Sequence, residues 1–261
     1  MKLISLNTWC GKYFQPLVEF IKQQSFDTDI FCFQEIYNTS SAIKQYKGIR
    51  ANLLWEINNI LPDFQVFYFS IMSGYTDDVT SVDFNLEYGQ AIWIKKTVTV
   101  NNYKEYIICD EESSEPLRKD FSNLTTPLQH LNFSIGGKEY ALFNFHGTPY
   151  PADKLDSPRH LLESRKVKEI TDGQKFPKIL VGDFNLLPQT ESIKMFESDM
   201  RNLIKEFNIE KTRSNLSPFY ETSNFQKFAD YTFVSKNIEV RGFEVPEVEV
   251  SDHLPMILEF S

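Results

Sequence analysis

Lys178-Ile179-Leu180-Val181-Gly182-Asp183-Phe184-Asn185 is the stretch on which the reading of this chain turns. Its first half is a short run of β-formers, which reads as a buried strand. Its second half is a turn, because Gly182 and Asn185 tolerate the backbone angles of a sharp reversal. An acid and an amide therefore stand at the end of a rigid strand, a placement that suits a preorganised site. The same pattern also ends ordinary strands, where the Asp caps a following helix. The other polar groups along the chain must decide between the two.

Outward from this strand, the apolar spacing predicts alternating elements. Upstream lie a strand over 2–9, a helix over 16–25 with Pro16 in its first turn, and a strand over 29–35 that ends in Gln34-Glu35. A helix over 50–61 closes at Pro62, and β-prone runs follow at 64–72, 91–94 and 98–109. Residues 73–85 and 110–126 read as surface loops, the second opening with an acidic run that suits a solvated face. Leu128 to Ile135, Gly136-Gly137 and Glu139 to Phe145 form a hairpin that runs into His146. Asp156-Ser157-Pro158 starts a helix that ends near Gly173. Downstream come a helix near 190–197, a mixed-charge loop to about 226, and strands at 228–234, 238–245 and 256–260. There is no repeat, low-complexity tract or linker. The expectation is one domain, 1–261, of α/β class: a four-layered sandwich in which two packed mixed β-sheets are flanked by helices.

Composition narrows the function. The 261 residues carry a net charge of −9 and 15% aromatics, which excludes disorder and argues modestly against a protein held to nucleic acid by phosphate neutralisation alone. Three cysteines without close histidines fit neither a disulfide scaffold nor a zinc site. No signal peptide is read at the start and no apolar run is long enough to span a bilayer, so a cytoplasmic protein is expected.

Polar residues gather at the predicted strand ends: Asn7, Glu35, His146, Asp183 with Asn185, and Asp252-His253 before the last strand. Asp230 lies within the apolar run Phe228-Ala229-Asp230-Tyr231-Thr232-Phe233-Val234, where a carboxylate needs a partner, and a late histidine is a natural one. In this order, Asn7, Gln34-Glu35, His146, Gly182-Asp183-Phe184-Asn185, Asp230-Tyr231 and Ser251-Asp252-His253-Leu254-Pro255 resemble the endonuclease/exonuclease/phosphatase superfamily. Each motif alone is weak, whereas the ordered set spans nearly the whole chain.

The resemblance implies the sandwich fold and divalent-metal-dependent hydrolysis of a phosphodiester in nucleic acid, nucleotide or phospholipid. The alternatives are a phosphomonoesterase on a small substrate and a non-catalytic binding module. It implies Mg²⁺, with Mn²⁺ as a substitute, near Glu35, Asn7 and Asp252, since Mg²⁺ takes oxygen ligands from one or two carboxylates. It makes Asp183 the group that orients or deprotonates water, and gives Asn185 a phosphate oxygen. Asp230 would hold His253 in its protonated form for the phosphoryl group, and His146 would assist there or protonate the leaving oxygen. A histidine at 146 matches the deoxyribonuclease-like, sphingomyelinase-like and tyrosyl-DNA-phosphodiesterase-like branches. Abasic-site endonucleases commonly carry tyrosine there, and an acidic residue where this chain has Trp9. Arg159, in the stretch from Lys154, and Arg213 are candidate substrate contacts, because Arg suits bidentate phosphate recognition. A Ser/His/Asp hydrolase is disfavoured by the lack of a Gly-x-Ser-x-Gly elbow.

Overall fold

Alternation along the strands sorts the apolar side chains onto two faces. In β2 (Ile30–Asn38), Ile30 and Cys32 point into the larger core while Phe31 and Phe33 point into a second one with Leu17, Ile21, Leu53 and Ile57. Those four belong to α1 (Phe14–Gln24) and α2 (Leu53–Ile60), whose apolar residues recur at helical spacing. β4 (Glu87–Lys95) repeats the pattern, with Ile92 and Ile94 in the larger core and Ala91 and Trp93 on the helix side. The structure, a computed structural model, describes residues 1–109 and 117–261. The acidic run expected to be solvated, Asp110 to Pro116, lies outside the described residues.

The first sheet also holds β1 (Lys2–Asn7), β3 (Phe64–Ser73), β11 (Val240–Glu244) and β12 (Met256–Phe260), in the order β11-β12-β1-β2-β4-β3. The second holds β5 (Thr99–Cys109), β6 (Thr126–Ile135), β7 (Lys138–His146), β8 (Lys178–Asp183), β9 (Met200–Asn202) and β10 (Asp230–Ser235), in the order β5-β6-β7-β8-β10-β9. Helix α3 (Pro158–Asp172) starts as its sequence dictates, with the Ser157 hydroxyl accepting from the His160 N–H and Pro158 in the first turn. In α4 (Glu191–Glu197), Phe196 packs on Phe184 and Phe233 of the second sheet. The result is the expected four-layered α/β sandwich. The differences are local: β9 and the one-turn α5 (Leu203–Glu206) form inside the stretch read as loop, and β2 runs three residues past Glu35.

Two parallel pairs decide where the site lies. β1 pairs with β2 and β7 with β8, so Asn7, Glu35, His146 and Asp183 emerge at one edge. β10 and β12 run antiparallel to β8 and β1, so their beginnings, Asp230 and the preceding Asp252-His253, arrive at the same edge. Beneath that edge a seam of buried amides joins the sheets. Gln34 Nε2 donates to Asn144 Oδ1 at 2.6 Å, Gln90 Nε2 to the Asn144 carbonyl at 2.8 Å, and Asn144 Nδ2 to Gln129 Oε1 at 3.0 Å. Such bonds fix the relative position of two sheets more sharply than apolar contact can, because misplacing them strands buried polar groups.

Candidate active site

Glu35 is delivered by an irregularity. The β2–β4 register jumps from Phe33↔Ala91 to Ile36↔Gly89, so two residues of β2 face one of β4, and Glu35 takes the left-handed φ of +60°. A bulge of this kind re-aims a side chain. The following turn of β1 is unusual in the same way, with Trp9, Cys10 and Gly11 all left-handed at φ 48°, 54° and 68°. Non-glycine residues in this region cost about 1–2 kcal/mol each and persist where surrounding structure holds them. Here the bracing is visible: Thr8 Oγ1 donates to the carbonyls of Gln34 and Glu35, both at 3.0 Å, and the Trp9 N–H donates to Asn7 Oδ1 at 3.0 Å.

Asn7 bridges the sheets. Its Nδ2 donates to Glu35 Oε1 at 2.9 Å and to Asp183 Oδ2 at 3.0 Å. Its oxygen accepts from Trp9, so Asn7 orients Glu35 and Asp183 beside the expected metal position. Glu35 Oε2 accepts from the Cys10 thiol at 3.3 Å. Burial, and then the negative charge of Asp252, raise the Glu35 carboxyl to about 7. Asp183 adds to this repulsion. A carboxylate crowded by the negative charge of its neighbours is relieved by a divalent cation, so Glu35, with Asp252 close by, fits a Mg²⁺-type ion.

Asp183 Oδ2 is the focus of the other half. Besides Asn7, it faces His253 Nε2 at 3.7 Å and His146 Nε2 at 3.8 Å. Its Oδ1 accepts from the Asn185 N–H at 2.9 Å. Burial opposes its charge, yet the carboxyl is held below the usual carboxylate range, with the Lys154 and Arg213 cations among the groups that favour its ionised form. Gly182 is required beneath it: φ is +138°, and a Cβ there would stand 1.9 Å from the Phe145 carbonyl oxygen.

Asp230 and His253 form the expected pair, with His253 Nδ1 2.8 Å from Asp230 Oδ2. The expected charge on His253 is corrected. Arg213 Nη1 lies 2.9 Å from His253 Nε2, so Nε2 accepts, Nδ1–H donates to Asp230, and the ring is neutral. Burial, then the Arg213 charge, lower its pKa to about 4. Burial and the charge of Asp183 raise Asp230. The buried ligand atoms of Asp183, Asp230 and His253 lie within 4.8 Å of one another, making the trio a possible metal site. Both His253 nitrogens are already engaged, which favours the Glu35 side for a cation that prefers oxygen.

Of the two arginines, Arg213 belongs to the site and Arg159 does not. Arg213 Nη2 donates to Asp252 Oδ2 at 2.7 Å and Arg213 lines the cavity above the strands. Arg159 is consumed structurally: it donates to Glu163 Oε1 at 2.9 Å, to Thr126 Oγ1 at 3.1 Å and to the carbonyls of Ser122 and Leu124. The cation that the same stretch does bring to the cavity is Lys154, whose Nζ donates to Asn185 Oδ1. Asn185 Nδ2 in turn donates to the Gly147 carbonyl at 3.0 Å. Within the stretch from Lys154 to Arg159 that the sequence offers for substrate contact, Lys154 and not Arg159 is the residue that reaches the cavity, and nothing local distinguishes it from any solvated lysine. The available signal was its place eight residues after His146.

The cavity measures about 780 Å³. Its floor is the polar set, and Trp9, Phe121, Tyr150 and Phe219 are among its walls. Residues from the surface loops also line it, Asp77, Leu124 and Gln226 among them.

The ordered motifs now coincide in space, and the profile of the Endonuclease/Exonuclease/phosphatase family matches residues 4–253. The chain belongs to this family. With membership comes the class of metal-dependent phosphoester hydrolases. Similar solved structures include a mannosyl-6-phosphatase, Bt3783, of Bacteroides thetaiotaomicron VPI-5482 (19% identity, TM-score 0.71, covering 100% of this chain and 99% of that one). The human Nocturnin catalytic domain with bound sulfate has 17% identity and a TM-score of 0.64, covering 100% of this chain and 93% of that one. A D. rerio TDP2 humanized by 14 mutations has 13% identity and a TM-score of 0.66, covering 100% and 98%. At these identities the likeness is one of fold. No curated protein matches the chain by sequence. No helix among the described residues is long and apolar enough to cross a membrane.

Proposed function

We propose that the chain hydrolyses a small phosphate ester, using a divalent cation, Mg²⁺ or Mn²⁺, held by Glu35 and Asp252. The observation that carries this reading is the convergence on Asp183 Oδ2 of Asn7 from one sheet and of His146 and His253 from the edge they share. When bound, the cation neutralises the phosphate and polarises it toward in-line attack. Asp183 stays ionised across the working range, so it accepts a hydrogen bond from the attacking water and aims it. Neutral His146, on the same oxygen, stands where a proton can be exchanged with water or with the leaving oxygen. The Asp230–His253–Arg213 chain fixes the Arg213 guanidinium against the phosphoryl position. Asn185 completes the cradle through its amide.

The apolar walls and the net charge of −9 favour a small ester over an extended nucleic-acid strand. Three free cysteines, all buried, suit the reducing cytoplasm. The test is a hydrolysis panel with Mg²⁺ or Mn²⁺: a phosphomonoester, a phosphodiester, single- and double-stranded DNA, RNA and sphingomyelin, each with and without EDTA. Metal-dependent cleavage that disappears in Glu35→Ala is expected. Cleavage that persists after chelation would remove the metal from the reading.

A further inference from the structure

Lys154 is an ammonium in an expensive place. Only 9% of the residue is exposed, and it sits on a left-handed backbone at φ +57°. That backbone is held from both sides: its N–H donates to the Pro151 carbonyl at 3.2 Å, and its carbonyl accepts from the Leu187 N–H at 2.9 Å. Among the described residues no carboxylate lies within 4.0 Å of Nζ, and its one hydrogen-bond acceptor is the neutral oxygen of Asn185. The other buried cation of the cavity, Arg213, differs in this respect, because Asp252 neutralises it at 2.7 Å. Burial lowers the proton affinity of the ammonium, and Asp183, Asp230 and Asp252 favour its charge only from beyond ion-pair contact, so an anion in the cavity would supply the direct partner it lacks.

The place where that anion would sit is defined. Lys154 lines the same cavity as His146, Asp183, Arg213 and His253, and it shares Asn185 with the Asp183 turn. An oxygen reaching Nζ therefore belongs to the phosphoryl group that the proposed hydrolysis acts on.

We propose that Lys154 is a phosphate-binding residue that receives a non-bridging phosphoryl oxygen, and that it biases the site toward the doubly charged phosphomonoester. A monoester has three non-bridging oxygens and two charges to satisfy, whereas a diester has two oxygens and one charge. An unneutralised ammonium rewards the extra charge. The substrate preference rests on the phosphoesterase reading above; the anion site itself does not.

The experiment separates the two. Lys154→Met keeps the length of the side chain and removes the charge. Melting of the Mn²⁺-loaded protein is followed across a titration of inorganic phosphate, for the native chain, Lys154→Met and Lys154→Arg. The native chain should gain melting temperature with phosphate, and Lys154→Met should need about tenfold more phosphate for the same gain. Without phosphate, Lys154→Met should melt at or above the native temperature, because a purely structural lysine would leave it lower. Equal phosphate response in native and Met forms overturns the proposal, and so does a native chain indifferent to phosphate. In a second arm, p-nitrophenyl phosphate and methyl p-nitrophenyl phosphate offer one leaving group with two charges or one. Lys154→Met should lower kcat/KM for the monoester about tenfold more than for the diester, and Lys154→Arg should recover part of it. An equal drop for both removes the monoester bias. If neither ester is hydrolysed while phosphate still binds through Lys154, the hydrolytic reading falls and the anion site stands.

Discussion

The two sheets deliver their halves of the site by different means. The second sheet does it with straight strands: β7 and β8 end side by side, the register sets His146 opposite Asp183 and Asp183 opposite Asp230, and Gly182 lets the backbones close up. The first sheet does it with bent ones. Trp9, Cys10 and Glu35 adopt left-handed angles, and Glu35 is aimed by a bulge. The difference follows what each half must do. Asp183 has the Lys154 and Arg213 cations to favour its charge, and its strand leaves regular geometry only at Gly182 and in the turn at Asn185. Glu35 stands near Asp252 and Asp183, which repel it, and it is held there by the left-handed bulge backbone and by hydrogen bonds from Asn7 and Cys10.

This contrast can be broken by experiment. The largest effect should come from Asp183→Asn, which retains the shape and one acceptor but loses the charge around which the cations are arranged. It should cost about a thousandfold in kcat/KM with the melting temperature nearly unchanged. Turnover near the native rate would remove Asp183 from the chemistry.

The second test compares backbones. Gly182→Ala puts a Cβ against the Phe145 carbonyl oxygen and should destabilise the fold by about 2–3 kcal/mol, read by urea unfolding. Glu35→Gly should do the reverse, adding up to about 1 kcal/mol of stability by relieving a left-handed residue while abolishing metal-dependent turnover. A Glu35→Gly protein less stable than the native one would show that the bulge is not strained.

The smallest effect is in the pH dependence. The Glu35 carboxyl rises from an ordinary value near 4.5 to about 7 in the fold. The folded protein therefore binds more protons than the unfolded chain between these values. Its contribution to stability is whole below about 4.5 and is lost as pH rises through about 7. Metal-free protein should lose melting temperature over that window, Glu35→Gln should flatten the loss, and saturating Mn²⁺ should reverse it. An identical pH profile in Glu35→Gln would place the buried carboxyl's repulsion elsewhere.

Much of the fold was legible because local chemistry and global packing agree. The alternation in β2 and β4, the Ser157-Pro158 helix start, the Gly-Gly hairpin and the strand ending in Gly182-Asp183 each carry their own signal. The second sheet's half of the site was correspondingly clear. The first sheet's half was less so: Glu35 was expected to end its strand, yet β2 continues to Asn38, because the bulge belongs to the pairing of β2 with β4 and leaves no mark in β2 itself. Gly89 does mark it from the partner strand, since a Cβ there would stand 1.9 Å from the Phe69 carbonyl oxygen.

The order of the elements, their inward faces and the identity of the polar groups at their ends are written into the chain locally. These depend on neighbours a few residues away, through periodicity, capping and turn chemistry. Which of those groups carry charge, and which are free to meet a substrate, depends on how the folded chain packs them. Arg159 and Lys154 lie five positions apart in one polar loop and helix start, yet the first is spent on Glu163 and three oxygens of residues 122–126 while the second reaches the cavity with no carboxylate of the described residues in contact. His253 is neutral because Arg213, 40 residues away in the chain, donates to its Nε2. Desolvation and pairing of a buried group are set by atoms from distant parts of the chain, and no local pattern encodes them.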